Sequence, residues 1–177
     1  MKKIGVAIFL ILLFIIIYIL QVNFFSWFNL ASVKPHLFII LVLTIGLFSG
    51  KITGGIFGAI FGIMLDFFIS KSIGISAIML GTIGIIGGYL DKSFSKDSRL
   101  TMLMMIGITT LIYEVGIVLF NLLINQSMIN LIYFIKTLII ELIFNSIITI
   151  ILYSIIIKIG SIIEGVFKEN KILTKYF

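Results

Sequence analysis

The chain has 177 residues, of which 61% are hydrophobic and only 11% are charged, with a mean hydropathy of +1.32. Soluble domains are nearer half apolar and a quarter charged, so this composition excludes a water-soluble fold and predicts a protein whose solvent is lipid. The absence of cysteine and the single histidine, His36, exclude disulfides, cysteine-ligated metals and multi-histidine metal sites. The net charge of +6 is interpreted as a property of membrane loops, not as a signal for nucleic acid.

The N-terminal segment is predicted to be a retained transmembrane helix over about residues 4–22. Two lysines precede an apolar run that is too long for the core of a signal peptide, and no small-residue cleavage site follows it. Aromatic residues cluster after the run, over Phe24–Phe28, as they do at the headgroup region of a membrane. This cluster is expected to lie at the outer interface.

A second apolar stretch opens at Pro35, and proline is well placed in the first turn of a helix. Residues 37–69 would form a helix about 50 Å long at 1.5 Å per residue. That length exceeds the ~30 Å hydrocarbon core, so the chain must turn. The turn is predicted near Gly50, which divides the stretch into a second and a third span.

A ladder of glycines marks the third span. Glycine recurs every four residues, and the next step of four lands on Asp66, so the ladder lies on one face of a helix. In a bilayer such a bare face lets a second helix approach closely. The fourth span carries small residues at steps of three and four, so the two spans are expected to pack together or against one common neighbour. The predicted packing residues are Gly50, Gly54, Gly58, Gly62, Gly74, Ala77, Gly81, Gly84 and Gly88.

The predicted fifth and sixth spans contain ionisable residues, which are costly inside a membrane and are functional candidates by default. Glu114 and Glu141 each lie about ten residues from the outer end of their helix and could face one another. Glu141, Asn145 and Thr149 step by four and form a polar stripe on the sixth span. Lys136 is expected to snorkel toward headgroups. A structural role in interhelical hydrogen bonding is favoured over a proton relay, because nothing else builds a translocation path.

Asp66 is predicted to lie near the outer end of the third span, close to the ends of neighbouring spans. One interpretation is a partner-binding surface, with Lys34, Pro35, Asp66 and Lys71 as candidate contacts. The other interpretation is an internal carboxylate that pairs with Lys71, with Lys34 or with a helix N-terminus. Both interpretations remain open at this point.

The distribution of lysine and arginine sets the orientation. With six spans and the N-terminus inside, ten of these residues fall on the inner side and three on the outer side, so both termini are predicted to be cytoplasmic. Residues 1–160 are predicted to form a single transmembrane domain, and residues 161–177 a cytoplasmic amphipathic tail. The spans are predicted at about 4–22, 35–49, 52–69, 74–90, 100–124 and 131–159.

Three features together resemble the MreD family of rod shape-determining membrane proteins of bacteria. They are Lys34-Pro35, the ladder from Gly54 to Asp66, and the Gly74-Ile-Ser-Ala77 opening of the next helix. The resemblance covers about residues 34–99, and the chain length and the number of spans also fit. His36 departs from the family pattern, which usually has aspartate or asparagine after the proline.

The resemblance implies a non-enzymatic, multi-pass protein of the bacterial cytoplasmic membrane, without a cofactor, that scaffolds lateral peptidoglycan synthesis in the cell-elongation (rod) complex. The implied partners, besides membrane lipid, are MreC and, through it, the actin-like MreB, the glycosyltransferase RodA and a class B penicillin-binding protein. No nucleic acid is implied.

The resemblance also implies an all-α membrane fold of six transmembrane helices, similar to the substrate-binding subunits of energy-coupling-factor transporters. That similarity leaves an alternative function, the binding of a vitamin or metal for such a transporter. A third function, a proton-coupled exporter, depends only on Glu114 and Glu141.

Overall fold

The computed structural model describes residues 2–24, 33–69, 74–91, 98–125 and 130–168. Within these ranges the fold is all-α, with six α-helices, which confirms the predicted fold class and the number of helices. A π-helical turn, Leu20–Phe24, continues the first helix. The helices are α1 (Lys2–Ile19), α2 (Leu37–Ser49), α3 (Lys51–Ile69), α4 (Ile75–Leu90), α5 (Arg99–Asn125) and α6 (Leu131–Phe167).

Four of these helices are long and apolar enough to cross a membrane: α1 with its π-helical turn, α3, α5 and α6. The other two, α2 and α4, have 13 and 16 residues. At 1.5 Å per residue they are about 20 and 24 Å long, less than the ~30 Å hydrocarbon core. The expectation of six full spans therefore holds by length for four helices only. Because backbone groups in lipid need partners, the ends of α2 and α4 depend on other parts of the protein.

The central helix of the bundle is α2, whose 13 residues are all buried. It contacts α1, α3, α4, α5 and α6. The surrounding helices turn apolar side chains outward, and Ile4, Leu123 and Ile132 are each more than two thirds exposed. Lipid tails are as apolar as these side chains, so this exposure suits a membrane and not water.

Glycines bring α2, α3 and α4 into backbone contact. A Cβ built on Gly58 of α3 would overlap the carbonyl of Leu80 in α4. A Cβ on Gly54 would lie 2.5 Å from the Cα of Gly46 in α2 and 2.6 Å from the carbonyl oxygen of Gly84 in α4. Three helices therefore meet at Gly46, Gly54 and Gly84. Gly46 was absent from the packing set derived from the sequence.

Gly50 and Gly74 form turns. Gly50 lies between α2 and α3 with a φ of 92°, and Gly74 precedes α4 with a φ of 105°. Residues that carry a Cβ rarely adopt these backbone conformations. No atom lies within 4 Å of a Cβ built on either residue. The backbone conformation therefore favours glycine at both positions, and the backbone of Gly50 also lies close to Gly88 of α4, where a built Cβ would be 2.6 Å from the Gly50 carbonyl carbon.

The last helix is longer than predicted. α6 runs for 37 residues, from Leu131 to Phe167, and so continues past residue 159, where the sixth span was predicted to end. A Cβ built on Gly160 would overlap the ring of Phe48, so the absence of a side chain lets α6 pack closely on α2. Beyond the helix, the Lys168 ammonium donates to Asp91 Oδ2 at 2.6 Å and to the Leu47 carbonyl at 3.1 Å, which ties the end of α6 to α2 and α4. Residues 169–177 of the predicted tail lie outside the described residues.

Candidate functional site

Polar side chains converge inside the bundle where α2 begins, α3 ends and α4 begins. They come from α3, α4, α5 and α6, from the residue that precedes α2 and from the π-helical turn after α1, and we call this set the polar cluster. Its members are Gln21, His36, Asp66, Ser76, Thr110, Tyr113, Glu114, Thr137, Glu141 and Asn145.

The start of α2 is capped by side chains from two other helices. Asn145 Oδ1 accepts a hydrogen bond from the backbone N–H of His36 at 2.9 Å, and Gln21 Oε1 accepts one from the N–H of Leu37 at 3.2 Å. The first N–H groups of any helix lack intrahelical partners, and in lipid such groups are costly. Pro35, which precedes them, is buried and has no N–H to satisfy. These two caps allow α2 to begin inside the bundle.

Asn145 links three helices. Its side chain is fully buried, and its Nδ2 donates to Thr110 Oγ1 in α5 at 3.1 Å. With the bond to His36, this residue of α6 uses both ends of its amide between helices. One turn further along α6, Thr149 donates only to the Asn145 carbonyl of its own helix, at 2.6 Å. The polar stripe on α6 is therefore an interhelical connection at Asn145 and a local one at Thr149.

Asp66 holds the start of α4. Its Oδ2 accepts a hydrogen bond from the N–H of Gly74 at 2.7 Å, and the side chain is only 1% exposed. This burial is against the expectation that Asp66 touches a partner and matches the alternative of a carboxylate at a helix N-terminus. Of the other candidate contacts, Lys34 is exposed and Pro35 is buried. Lys71 lies outside the described residues.

Glu114 and Glu141 face each other and are hydrogen-bonded. A hydrogen bond between two carboxyl groups requires that one of them carry the proton, because an ionised carboxylate is only an acceptor. Glu141 is 4% exposed, whereas Lys136, in the same helix, lies at the surface. The two glutamates therefore lie side by side between α5 and α6, and a shared proton stays a prediction.

Tyr113 lies at the centre of the polar cluster. Its ring centroid is 4.5 Å from that of His36, and its hydroxyl is hydrogen-bonded to Ser76 in α4. It is also near enough to Asp66, Glu114 and Glu141 to interact with them electrostatically. Tyr113 was not among the residues predicted from the sequence, although its position beside Glu114 in an apolar span was an available signal.

Thr110 and Gln21 were also missed. Thr110 precedes Glu114 by four residues and therefore shares its helix face, which is a usable signal. No sequence signal marked Gln21, because it lies at the end of the first span, where polar residues are common.

Four buried polar atoms of the cluster have no hydrogen-bond partner in the part of the chain that the structure describes. They are His36 Nδ1, Asp66 Oδ1, Thr137 Oγ1 and Glu141 Oε1. More than nine in ten buried polar groups in native proteins are bonded, so four in one cluster call for an explanation. The cluster thus accepts hydrogen bonds from the backbone at the starts of α2 and α4, whereas these four atoms have no partner among the described residues.

A helical bundle that exposes apolar side chains over four membrane-length helices and buries Asp66 and Glu141 in its interior is a multi-pass integral membrane protein. The chain matches a family model described as rod shape-determining protein MreD over residues 1–160 of 177, and it therefore belongs to the MreD family. The match confirms the resemblance and extends it beyond residues 34–99. No curated protein and no solved structure matches the chain.

Proposed function

We propose that this protein is a non-enzymatic scaffold of the bacterial cell-elongation (rod) complex, which supports lateral peptidoglycan synthesis in the cytoplasmic membrane. Membership in a family of rod shape-determining proteins carries the proposal. The proposed partners are membrane lipid and MreC and, through MreC, the proteins MreB, RodA and a class B penicillin-binding protein. The chain itself contributes a fixed membrane body on which these partners assemble.

The packing of the bundle supports a scaffold role. At Gly46, Gly54 and Gly84 three helices approach to backbone contact, which leaves no side chains that could repack between them. The polar groups that we describe mainly hold helix ends, as Asn145 does for α2 and Asp66 does for α4. Such over-determined contacts favour a single rigid arrangement, which a binding platform needs and a gated transporter does not.

We infer that the end of the bundle with Lys51 and Lys168 faces the cytoplasm. The Lys51 ammonium lies 5.0 Å from the ring centroid of Tyr89, and Lys168 bonds to Asp91, so both cations are held at one end. Basic residues accumulate on the cytoplasmic side of membrane proteins, which supports this assignment and cytoplasmic termini. The polar cluster then lies toward the outer side.

The proposed surface for MreC lies on the outer side, beside Lys34 and the outer halves of α5 and α6. Lys34 is exposed, whereas Asp66 is internal, so Lys34 remains a candidate contact and Asp66 acts as a support. Leu123 and Ile132 expose 79% and 82% of their surface there. An apolar transmembrane helix of a partner would pack on such side chains through van der Waals contacts.

The scaffold proposal is tested by depletion in the native bacterium, followed by co-purification from membranes. Depleted cells should lose rod shape and become round, and a tagged copy that restores rods should recover MreC. Normal rods after full depletion would contradict the proposal. So would a tagged, functional copy that recovers no component of the rod complex.

A second candidate function is that of a membrane subunit of an energy-coupling-factor transporter that binds a vitamin or metal. The unpartnered polar atoms of His36, Asp66 and Glu141 favour it, because a ligand would satisfy them. Restored vitamin uptake in an auxotroph that expresses the chain with the transport ATPase module would support this function. Loss of uptake without loss of cell shape on depletion would then replace the scaffold proposal.

A further inference from the structure

We propose that the groove between the start of α3 and the end of α4 binds an anionic phospholipid of the membrane. The groove has a volume of about 380 Å³ and is lined by Lys51, Ile52, Gly55, Ile56, Ile85 and Tyr89. We call it the Lys51 groove. This site is a specific case of the lipid contact proposed above. It requires only that the chain lies in a membrane, and it does not depend on the scaffold role.

Close packing of α3 on α4 forms the floor of the Lys51 groove. A Cβ built on Gly88 of α4 would overlap the backbone of Lys51, so the end of α4 and the start of α3 lie at the same level. One turn further into α3, a Cβ built on Gly55 would lie 2.8 Å from Cγ1 of Ile85. Because Gly55 has no side chain, Ile85 lies directly against the α3 backbone at this point.

The lining of the groove changes from polar to apolar along the two helices. Lys51 and Tyr89 lie together at the end where α3 begins, which is also the end of a candidate membrane span. Ile56 in α3 and Ile85 in α4 lie five and four residues away from this end, about 6–8 Å deeper at 1.5 Å per residue. Both isoleucines are exposed. A phospholipid has the same order, with a charged headgroup at the interface and hydrocarbon beneath it, whereas a soluble anion offers nothing to the apolar half.

The charge of Lys51 selects an anion. Its ammonium lies 5.0 Å from the ring centroid of Tyr89, which holds it at the polar end of the groove. Among the described residues no carboxylate pairs with it. An ammonium has three N–H donors, so donors remain for phosphate oxygens beside the ring contact. Because Lys51 already covers this face of Tyr89, the face is not open to the choline group of a zwitterionic lipid.

A second cavity, of about 140 Å³, adjoins the groove and shares Lys51 and Tyr89 with it. Its other charged residues, Asp91 and Lys168, pair with each other at 2.6 Å, and Glu164 lies 3.4 Å from the same ammonium. Lys168 is therefore neutralised, and the phosphate is expected at Lys51. The Asp91 carboxylate can accept a hydrogen bond from a headgroup hydroxyl. The two cavities together favour phosphatidylglycerol, which has one negative charge and a hydroxylated headgroup.

The test uses the full chain, purified in detergent, and two photoactivatable lipids with a diazirine near the carboxyl end of one acyl chain. One is phosphatidylglycerol, and the other is phosphatidylcholine with the same acyl chains at the same mole fraction in the micelle. Mass spectrometry of fragments locates the crosslinks. Phosphatidylglycerol should label residues 51–56 and 85–89 in a saturable manner. Labelling by phosphatidylcholine should be about fivefold weaker, the effect of one basic residue near an anionic lipid surface. Glycerol phosphate, which has the charge but no acyl chain, should not compete.

Two substitutions of exposed residues separate charge from shape. Lys51→Gln removes the charge and should lower phosphatidylglycerol labelling about fivefold, to the level of phosphatidylcholine. Its matched control is Lys3→Gln, which changes an exposed lysine of α1 that lines neither cavity. Ile56→Trp fills the apolar half and should abolish labelling of the groove by both lipids. Ile108→Trp in α5 is its control, because Ile56 and Ile108 are 54% and 52% exposed.

Equal labelling of the groove by the two lipids would overturn the proposal, because bulk lipid on an apolar surface gives that result. Unchanged phosphatidylglycerol labelling in Lys51→Gln would also overturn it, as would full competition by glycerol phosphate, which would indicate a site for a soluble phosphate. A dimer that protects the groove from both lipids would assign it to a second copy of the chain instead. If one variant does not fold, the other variant and the wild-type comparison decide. Depletion in cells tests the scaffold role separately, so either proposal can fail alone.

Discussion

The side-chain oxygen of Asn145 lies 2.9 Å from the backbone nitrogen of His36, in a hydrogen bond between residues 109 positions apart. The bond joins the interior of α6 to the residue before α2 and satisfies a backbone donor at the start of a short helix. Its acceptor belongs to the polar stripe that a transporter would need for a proton path. Here the same side chain positions a helix end.

The first prediction concerns this cap. Asn145→Ala removes the partners of the His36 N–H and of Thr110, so the free energy of unfolding should fall by about 1–3 kcal/mol. Thermal unfolding in detergent measures it. Asn130→Ala is the control from the same helix: Asn130 is exposed and caps only Tyr133, so water replaces its bond. Equal losses in the two variants would contradict a special role for the buried cap.

The second prediction concerns Asp66. Asp66→Ala leaves the Gly74 N–H without its acceptor and should lower protein abundance and rod growth, whereas Asp66→Asn retains an acceptor and should be tolerated better. The charge swap of Asp66→Lys with Lys71→Asp should fail, because a buried lysine cannot accept that hydrogen bond. Full activity of the swapped protein or of Asp66→Ala would refute the internal role.

The third prediction concerns the glycine contact between α3 and α4. Gly58→Leu places a side chain into the Leu80 carbonyl and should destabilise the protein by about 3 kcal/mol, the upper range for overpacking, or more. Gly107→Leu in α5 is the matched control, because nothing lies within 4 Å of its Cβ position. The measurements are accumulation in membranes and restoration of rods after depletion. Normal accumulation of Gly58→Leu would show that the helices are not held at this distance.

The fourth prediction separates a structural glutamate pair from a proton path. Substitution of both Glu114 and Glu141 by glutamine preserves hydrogen bonding and abolishes titration, so cell shape should remain normal. Microscopy after depletion of the native copy checks this, with protein abundance measured in parallel. Round cells with normal abundance and normal MreC recovery would instead favour the proton-coupled exporter.

The fifth prediction is the topology. Cysteines introduced at Ser72 and Ser127 should react with a membrane-impermeant maleimide from outside the cell, and one at Ser95 should react only after lysis. All three positions lie outside the described residues, so labelling is an independent measurement. External labelling of Ser95 would overturn the six-span orientation.

Local periodicity in the sequence predicted much of the helix packing. The sequence shows glycines spaced four residues apart along α3, and in the structure the α4 backbone lies against Gly54, Gly58 and Gly62. Gly46, which packs against Gly54 and Gly84, is a single glycine in an apolar helix and belongs to no repeat that would identify it. The contact between Gly160 and the ring of Phe48 joins residues that are distant in the chain, so local periodicity does not reveal it.

Only some members of the polar cluster could be predicted from the sequence, because their hydrogen-bond partners are distant in the chain. Glu114, Glu141 and Asn145 stand out because charged and amide groups are rare in apolar spans. The hydrogen bonds that these side chains make depend on distant backbone groups, such as the N–H of His36. Almost every residue has a backbone N–H, so the sequence does not show which of them needs a side-chain partner. The positions of short helix ends therefore decide the roles of these side chains.

Both ends of α2 are completed by α6. Asn145 serves its start, and Lys168 bonds to the Leu47 carbonyl in its last turn. A ribosome that adds 5–20 residues per second needs roughly 5–20 s to travel the 109 residues from His36 to Asn145. During that interval the newly inserted α2 has unsatisfied groups at both ends. The nascent chain must therefore keep this short helix at a hydrated place, such as the insertion machinery, until its last segment has been made.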